Sequence, residues 1–211
     1  MNRILILLAH PSLHRSEINK PLAEASQAQE GITLVDLYAQ YPTFKIDIET
    51  EQQRLREHDI IIFMFPLYWY STPSILKEWQ DLVLEYGFAY GSQGKALAGK
   101  TFFCALSAGG LEKGYQTDGY SHFTIREILQ PLEQTASITH MKYLPPFTLF
   151  GSRKDNEEER IQAHIRQWVA LLKDLRHQTI HAEDAAYAKT LNEYLLDHPT
   201  GSIAHAAGNT Q

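Results

Sequence analysis

Residues Asp59 to Trp79 read DIIIFMFPLYWYSTPSILKEW, and this stretch decides the fold. Ile60 to Phe65 is a continuous apolar run, short enough for one strand and without polar alternation. Such a run suits a central strand covered on both faces, as in a parallel sheet with helices above and below. Pro66 lacks the amide that a ladder needs and ends the strand. Tyr68, Trp69 and Tyr70 follow, and Ser71-Thr72-Pro73 opens a helix whose stripe is Ile75, Leu76, Trp79, Leu82 and Val83. The three aromatics therefore sit on a strand-to-helix loop at the carboxyl end of a buried strand, where open α/β sheets bind ligands. One aromatic there would simply cap the core. Three in succession between prolines point to a planar ligand.

Working outward, the same alternation repeats. Strands are expected at Ile4–Leu8, Thr33–Leu37, Lys100–Leu106 and Ile138–Leu144, the last closed by Pro145-Pro146. Helices are expected over Asn19–Gln29, Glu49–His58, Phe123–Gln134 and Asn156–Leu175, the last with Ile161, Ile165, Trp168, Leu171, Leu172 and Leu175 on one face. Five strands interleaved with helices predict an α/β, doubly wound parallel sheet. The expected division is a domain over 1–177 and an extension over 178–211, made of one helix across Glu183–Leu196 and a mobile tail from Pro199.

Composition narrows the function. A chain of 211 residues with net charge −6 can bury one substantial core. It has no basic cluster, which argues against nucleic acid as a partner. Cys104 is the single cysteine, so there is neither a disulfide framework nor a thiolate metal site. Ile4–Leu8 is too short for a signal peptide or a membrane span, and a cytoplasmic protein is expected. The ten histidines form no Cys/His cluster, so no metal is expected.

The loop after the first strand separates two nucleotide classes. A dinucleotide site wants G-x-G-x-x-G there. The segment His10 to Asn19, HPSLHRSEIN, contains no glycine but offers His10, Ser12, His14, Arg15, Ser16 and Asn19 as donors. Such a loop entering a helix N-terminus suits a terminal phosphate. Pro21 fits a first turn and not a helix interior, which places the helix start nearer Asn19 than Ser16. After the fourth strand, Ser107-Ala108-Gly109-Gly110-Leu111 places adjacent glycines where a ligand can approach the backbone. In a sheet ordered 2-1-3-4-5, the loops after strands one, three and four lie side by side.

These residues carry a family resemblance. His10, Ser16 and Asn19, then Phe65-Pro66-Leu67-Tyr68-Trp69-Tyr70 with Pro73, Leu76, Lys77 and Trp79, then Ser107-Ala108-Gly109-Gly110 with Tyr115, resemble the flavodoxin-fold NAD(P)H:quinone oxidoreductases. Tyr115-Gln116-Thr117-Asp118-Gly119-Tyr120 and Tyr143-Leu144-Pro145-Pro146-Phe147 are similar to one branch, the ancillary proteins of glutathione-regulated potassium-efflux systems. The resemblance covers roughly residues 3–175. It implies a flavodoxin-like sheet, a non-covalent flavin (FMN, with FAD as the alternative) and a homodimer. It also implies two-electron reduction of a quinone by NADPH or NADH. A second role follows from the branch: a regulatory subunit docked peripherally on a membrane potassium-efflux transporter.

The resemblance also implies roles position by position. His10, Ser16, Glu17, Ile18 and Asn19 match the phosphate loop, with Glu17 and Ile18 acting through backbone amides. Leu67, Tyr68, Trp69 and Tyr70 would flank the flavin ring. Ser107, Ala108, Gly109, Gly110 and Leu111 would cover its pyrimidine side, although Ser107-Ala108 stand where the family often has two threonines. Tyr115 matches a catalytic tyrosine. A histidine six residues beyond that tyrosine partners it in some members; here Ser121 has that spacing and His122 comes one later. Beside the ring site Trp79, Tyr86, Phe88 and Tyr90 form an aromatic cluster, and a dimer interface is expected there.

Overall fold

In a computed structural model, which describes residues 1–152, 158–180 and 182–198, the run that opened the argument forms β3 (Ile60–Pro66). It pairs in parallel with β1 (Ile4–Leu8) on one side and β4 (Thr101–Ser107) on the other. With β2 (Ile32–Asp36) and β5 (Lys142–Tyr143) the order is β2-β1-β3-β4-β5. Pro66 is the last residue of β3, and the chain then leaves with the Leu67 amide donating to the Ser107 carbonyl at 2.8 Å.

Both faces of the sheet are covered, which is why its strands lack polar alternation. Leu5, Leu7, Ile61, Phe63, Phe65 and Phe102 pack on one face. That face is closed by α2 (Leu37–Gln40), α3 (Ile48–Glu57), α4 (Ser74–Val83), α5 (Ile125–Ile128) and α6 (Gln130–Ile138). Ile4, Ile6, Leu8, Ile62, Met64 and Phe103 pack on the other, against α1 (Asn19–Gln27) and α7 (Glu158–His177). Trp79 on α4 is fully buried and donates its indole N–H to Glu51 Oε2 at 3.0 Å. Tyr41 Oη donates to the other oxygen of the same carboxylate at 2.7 Å, and Arg54 is bonded to it too.

Four expectations are corrected here. The fifth strand does not run over Ile138–Leu144: α6 continues to Ile138, and His140 at φ 58° turns the chain out of it. Pro145-Pro146 then removes two donors, so pairing with β4 is split between β5 and a sixth strand, β6 (Phe147–Leu149). The helix expected over Phe123–Gln134 is likewise two helices. Pro131 would clash inside a continuous helix, but it is tolerated in the first turn of α6. The aromatic cluster is smaller than expected, since Trp79 and Phe88 are buried and only Tyr86 and Tyr90 reach the surface.

The fourth correction concerns the extension. Within the described residues it forms two short helices, α8 (Ala182–Ala185) and α9 (Leu191–Asp197), not one. Leu191, Tyr194 and Leu195 bury against the α7 face of the core. Thr190 caps α9 by accepting the Glu193 amide at 3.2 Å. Asn192 Oδ1 accepts the Thr148 amide of β6 at 2.8 Å, so a side chain satisfies a donor on the sheet edge. The expected tail from Pro199 lies outside the described residues, as does Glu157. Among the described residues no helix is long and apolar enough to cross a membrane.

Candidate functional site

Sheet order alone brings the loops after β1, β3 and β4 to one end of the molecule. In the first loop His10 is 92% buried at the end of β1. Its Nδ1 accepts the Ser12 amide at 3.1 Å, which leaves the second ring nitrogen, Nε2, to carry the hydrogen of the neutral ring. Burial lowers the His10 pKa, opposed in part by Asp36, so the ring is a neutral donor at physiological pH. Ser16 is half-buried and accepts the Asn19 amide at 2.9 Å, which starts α1 where Pro21 requires. The Ile18 amide has no backbone acceptor among the described residues, whereas Glu17 is exposed.

Asn19 joins this loop to the third. It is 1% exposed and donates from Nδ2 to Ser107 Oγ at 3.0 Å, while its Oδ1 is buried without a partner among the described residues. A buried amide oxygen left unpaired costs free energy unless something supplies a donor. The cost here falls on an atom between two loops that face the same space.

The second loop is a tight hairpin. Tyr68 and Ser71 exchange both backbone hydrogen bonds, at 3.1 and 3.0 Å, and the two residues between them have positive φ: Trp69 at 48° and Tyr70 at 60°. This is the dihedral signature of a type I′ turn, which Asn-Gly or Asp-Gly adopts readily and two aromatics adopt only under strain. Its effect is to display Trp69, 94% exposed, and Tyr70, 49% exposed, beside Tyr68. The Tyr68 ring stands edge-on to His10 with centroids 6.3 Å apart. The amides of Leu67 and Tyr68 are committed internally. Those of Trp69 and Tyr70 have no backbone acceptor among the described residues.

The third loop is held by a neighbour that sequence reasoning did not name. The Ala108 amide donates to Leu149 O at 2.9 Å, Ser152 N to Ala108 O at 3.0 Å, and Gly151 N to Gly110 O at 2.7 Å. The segment after β6 thus fixes the glycine loop, leaving the Gly109 and Leu111 amides without backbone acceptors among the described residues. Tyr120 packs against Gly110, in the space a side chain there would need. A Cβ there would lie 1.6 Å from the Tyr120 hydroxyl, and one on Gly114 would lie 2.0 Å from the same ring.

Tyr115 is 6% exposed, with ring contacts to Tyr120 at 6.1 Å and Phe150 at 5.3 Å. Burial, with the Tyr120 hydroxyl second, pushes its pKa up to about 12, so it is a protonated donor across the physiological range. His122 is not brought to it by any recorded contact. It lies in the exposed loop before α5 at φ 59°, and its ring has no hydrogen-bond partner among the described residues. Ser121 takes the structural role instead, its hydroxyl within 2.6 Å of Gly114 O and 2.7 Å of Phe123 O. Tyr120 stands in the segment that resembles the ancillary branch but was given no role there, and Phe150 was missed because it meets Tyr115 only through tertiary packing. Cys104 is fully buried and burial raises its pKa strongly, so its thiol is inert.

Comparison with known proteins places this geometry among relatives. The profile of a family described by its flavodoxin-like fold matches residues 2–172. The glutathione-regulated potassium-efflux system ancillary protein KefG of Serratia proteamaculans is 46% identical over 156 residues, 74% of this chain and 85% of that protein. The crystal structure of general stress protein 14 from Treponema denticola, in complex with FMN, superposes with a TM-score of 0.76 at 38% identity. It covers 82% of this chain and 99% of its own. The crystal structure of an NADPH-quinone reductase from P. pentosaceus superposes with a TM-score of 0.73 at 33% identity, over 80% of this chain and 96% of its own.

Proposed function

The chain belongs to the flavodoxin-like family, and on that premise we propose that it is an FMN-dependent NAD(P)H:quinone oxidoreductase. The observation that carries this reading is the convergence of a glycine-free donor loop, a strained aromatic hairpin and a glycine loop with unpaired amides at one sheet end. FMN, when bound, would supply the hydride chemistry between NAD(P)H and the quinone. The first loop suits its single phosphate: His10 Nε2–H, the Ser16 hydroxyl and the Ile18 amide are donors around the α1 N-terminus. The orphaned Asn19 Oδ1 suits a sugar-chain hydroxyl, which is the donor that atom lacks. Trp69 and Tyr70 would hold the ring between apolar surface and their amides, and the Gly109 and Leu111 amides would meet its polar edge. Tyr115, protonated and buried behind Gly110, would donate to negative charge developing there.

The relatives support the cofactor, the reductant and the acceptor class together, because one was solved with FMN and another is an NADPH-quinone reductase. A C2 homodimer is part of the reading. Trp69, Tyr86, Tyr120 and Phe123 are all more than half exposed around the site, more aromatic surface than a monomer ordinarily leaves in water. The resemblance to KefG favours a second reading, in which the protein docks on the cytoplasmic face of a potassium-efflux transporter and turnover is secondary. Steady-state reduction of a soluble quinone by the isolated protein with NADPH tests the first. Efflux that persists with a turnover-dead variant favours the second.

A further inference from the structure

The family profile ends at residue 172, yet residues beyond α7 line one cavity with the proposed catalytic tyrosine. Arg126, on α5 immediately after the loop that carries Tyr115, is the tie. Its Nη1 donates to the carbonyl of Ala186 at 2.6 Å and lies 3.3 Å from that of Ala188. Lys189 and Thr190 of the extension share a cavity of about 100 Å³ with Glu112, Tyr115, Gln116 and Phe150. The extension is in turn anchored to the sheet by Leu191 N to Pro146 O at 2.8 Å and by Asn192 to Thr148. Residues 186–190 therefore bridge two fixed points, the β6 edge and the start of α5, with the 112–116 segment between them.

We propose that the C-terminal extension, residues 182–198, braces the loop 111–124 through Arg126 and thereby positions Tyr115. Three observations support it. The loop has little regular structure of its own, only a single 3-10 turn over Glu112–Gly114. It is entered beside Gly110, whose carbonyl accepts the Gly151 amide just beyond β6, and left at Thr124, the cap of α5, and the extension bonds to both β6 and α5. The guanidinium is half-buried, and its contact with the extension is made by Nη1 to main-chain carbonyls, while Nη2 faces Glu133 on α6. Arg126 is a positioning residue, not a catalytic one, and the role assigned to Tyr115 rests on the proposed oxidoreductase reading.

The test separates the two claims by using amide hydrogen exchange, which needs neither flavin nor turnover. In the full-length protein, Arg126→Ala should speed exchange over 111–124 by about tenfold while the peptides of β1 and β3 stay unchanged. In the flavin-loaded protein it should slow reduction by NADPH about tenfold with the flavin Kd changed less than about twofold. Arg126→Lys, which can still reach a carbonyl, should recover most of both effects. Glu133→Gln is the control, since Glu133 is the other partner of Arg126, at 3.5 Å. It should leave exchange over 111–124 as it is. Unchanged exchange in Arg126→Ala overturns the brace, and so does an equal effect from Glu133→Gln. A wild type that binds no flavin would overturn the oxidoreductase reading alone.

Discussion

Asn19 at the start of α1 donates its side-chain amide to the Ser107 hydroxyl at the end of β4, 3.0 Å away and 88 positions along the chain. The bond clamps the donor loop to the glycine loop, so the two sides of the site cannot separate independently. Asn19→Ala should cost about 1–2 kcal/mol of stability and weaken FMN binding about tenfold, because one clamp bond and one ligand acceptor are lost together. Ser107→Ala removes only the first and should weaken binding less. Urea unfolding and fluorescence titration with FMN measure both. Equal effects would show that the Asn19 oxygen meets no ligand.

Tyr115→Phe should keep FMN bound and slow flavin reduction by NADPH about tenfold or more, the effect of a lost hydrogen bond to developing charge. With a folded-state pKa of about 12, the hydroxyl stays protonated through neutral and mildly alkaline pH, so this step should be flat with pH up to about 9. Stopped-flow reduction across that range reads it. An unaltered rate at full flavin occupancy would remove Tyr115 from the chemistry.

Acid should weaken the fold through its buried histidines. His164 is stacked on Phe147 at 4.4 Å, its Nε2 has no partner among the described residues, and burial, with Arg160 second, brings its pKa down to about 3. His10 and His58 are lowered by burial as well. A lowered histidine pKa means that the unfolded chain takes the proton first. Stability is therefore complete above about pH 6.5 and is lost as pH falls toward the folded pKa. For His164 that loss is up to about 2 kcal/mol between pH 6.5 and 5. His164→Gln should make the decline over that interval shallower by about that amount in denaturant titrations, and an identical slope would contradict the assignment.

Glu51 is fully buried and accepts from Tyr41, Trp79 and Arg54, joining α2, α3 and α4 behind the aromatic hairpin. Glu51→Ala strands all three donors and should destabilise by about 3–5 kcal/mol. Glu51→Gln keeps the shape and should cost less. A loss below about 1 kcal/mol for the alanine variant would mean that water replaces the carboxylate.

Much of this was readable because the signals were local. Ile60–Phe65, short and stopped by Pro66, suited a covered strand, and the loops that follow β1, β3 and β4 carried the unusual residues. What failed depended on residues distant in sequence. Ile138 closes α6 and only Lys142–Tyr143 of the expected strand pairs as β5; pairing with β4 alone shows where the strand restarts after Pro146. The Trp69-Tyr70 turn contradicts its residues' own preferences, and the Tyr68–Ser71 backbone pair that closes it is not legible in the sequence. The periodicity of residues 183–196 marked a buried face without saying what covered it; the answer is β6 and α7.

The central claim is best tested on the protein itself. Flavin-loaded protein is titrated with NADPH under anaerobic conditions, and the heat-released cofactor is identified by chromatography. The account predicts one FMN per chain, bleached by one equivalent of NADPH and restored by a quinone. Protein that takes up no flavin, or holds one that NADPH and NADH both leave oxidised, would contradict it.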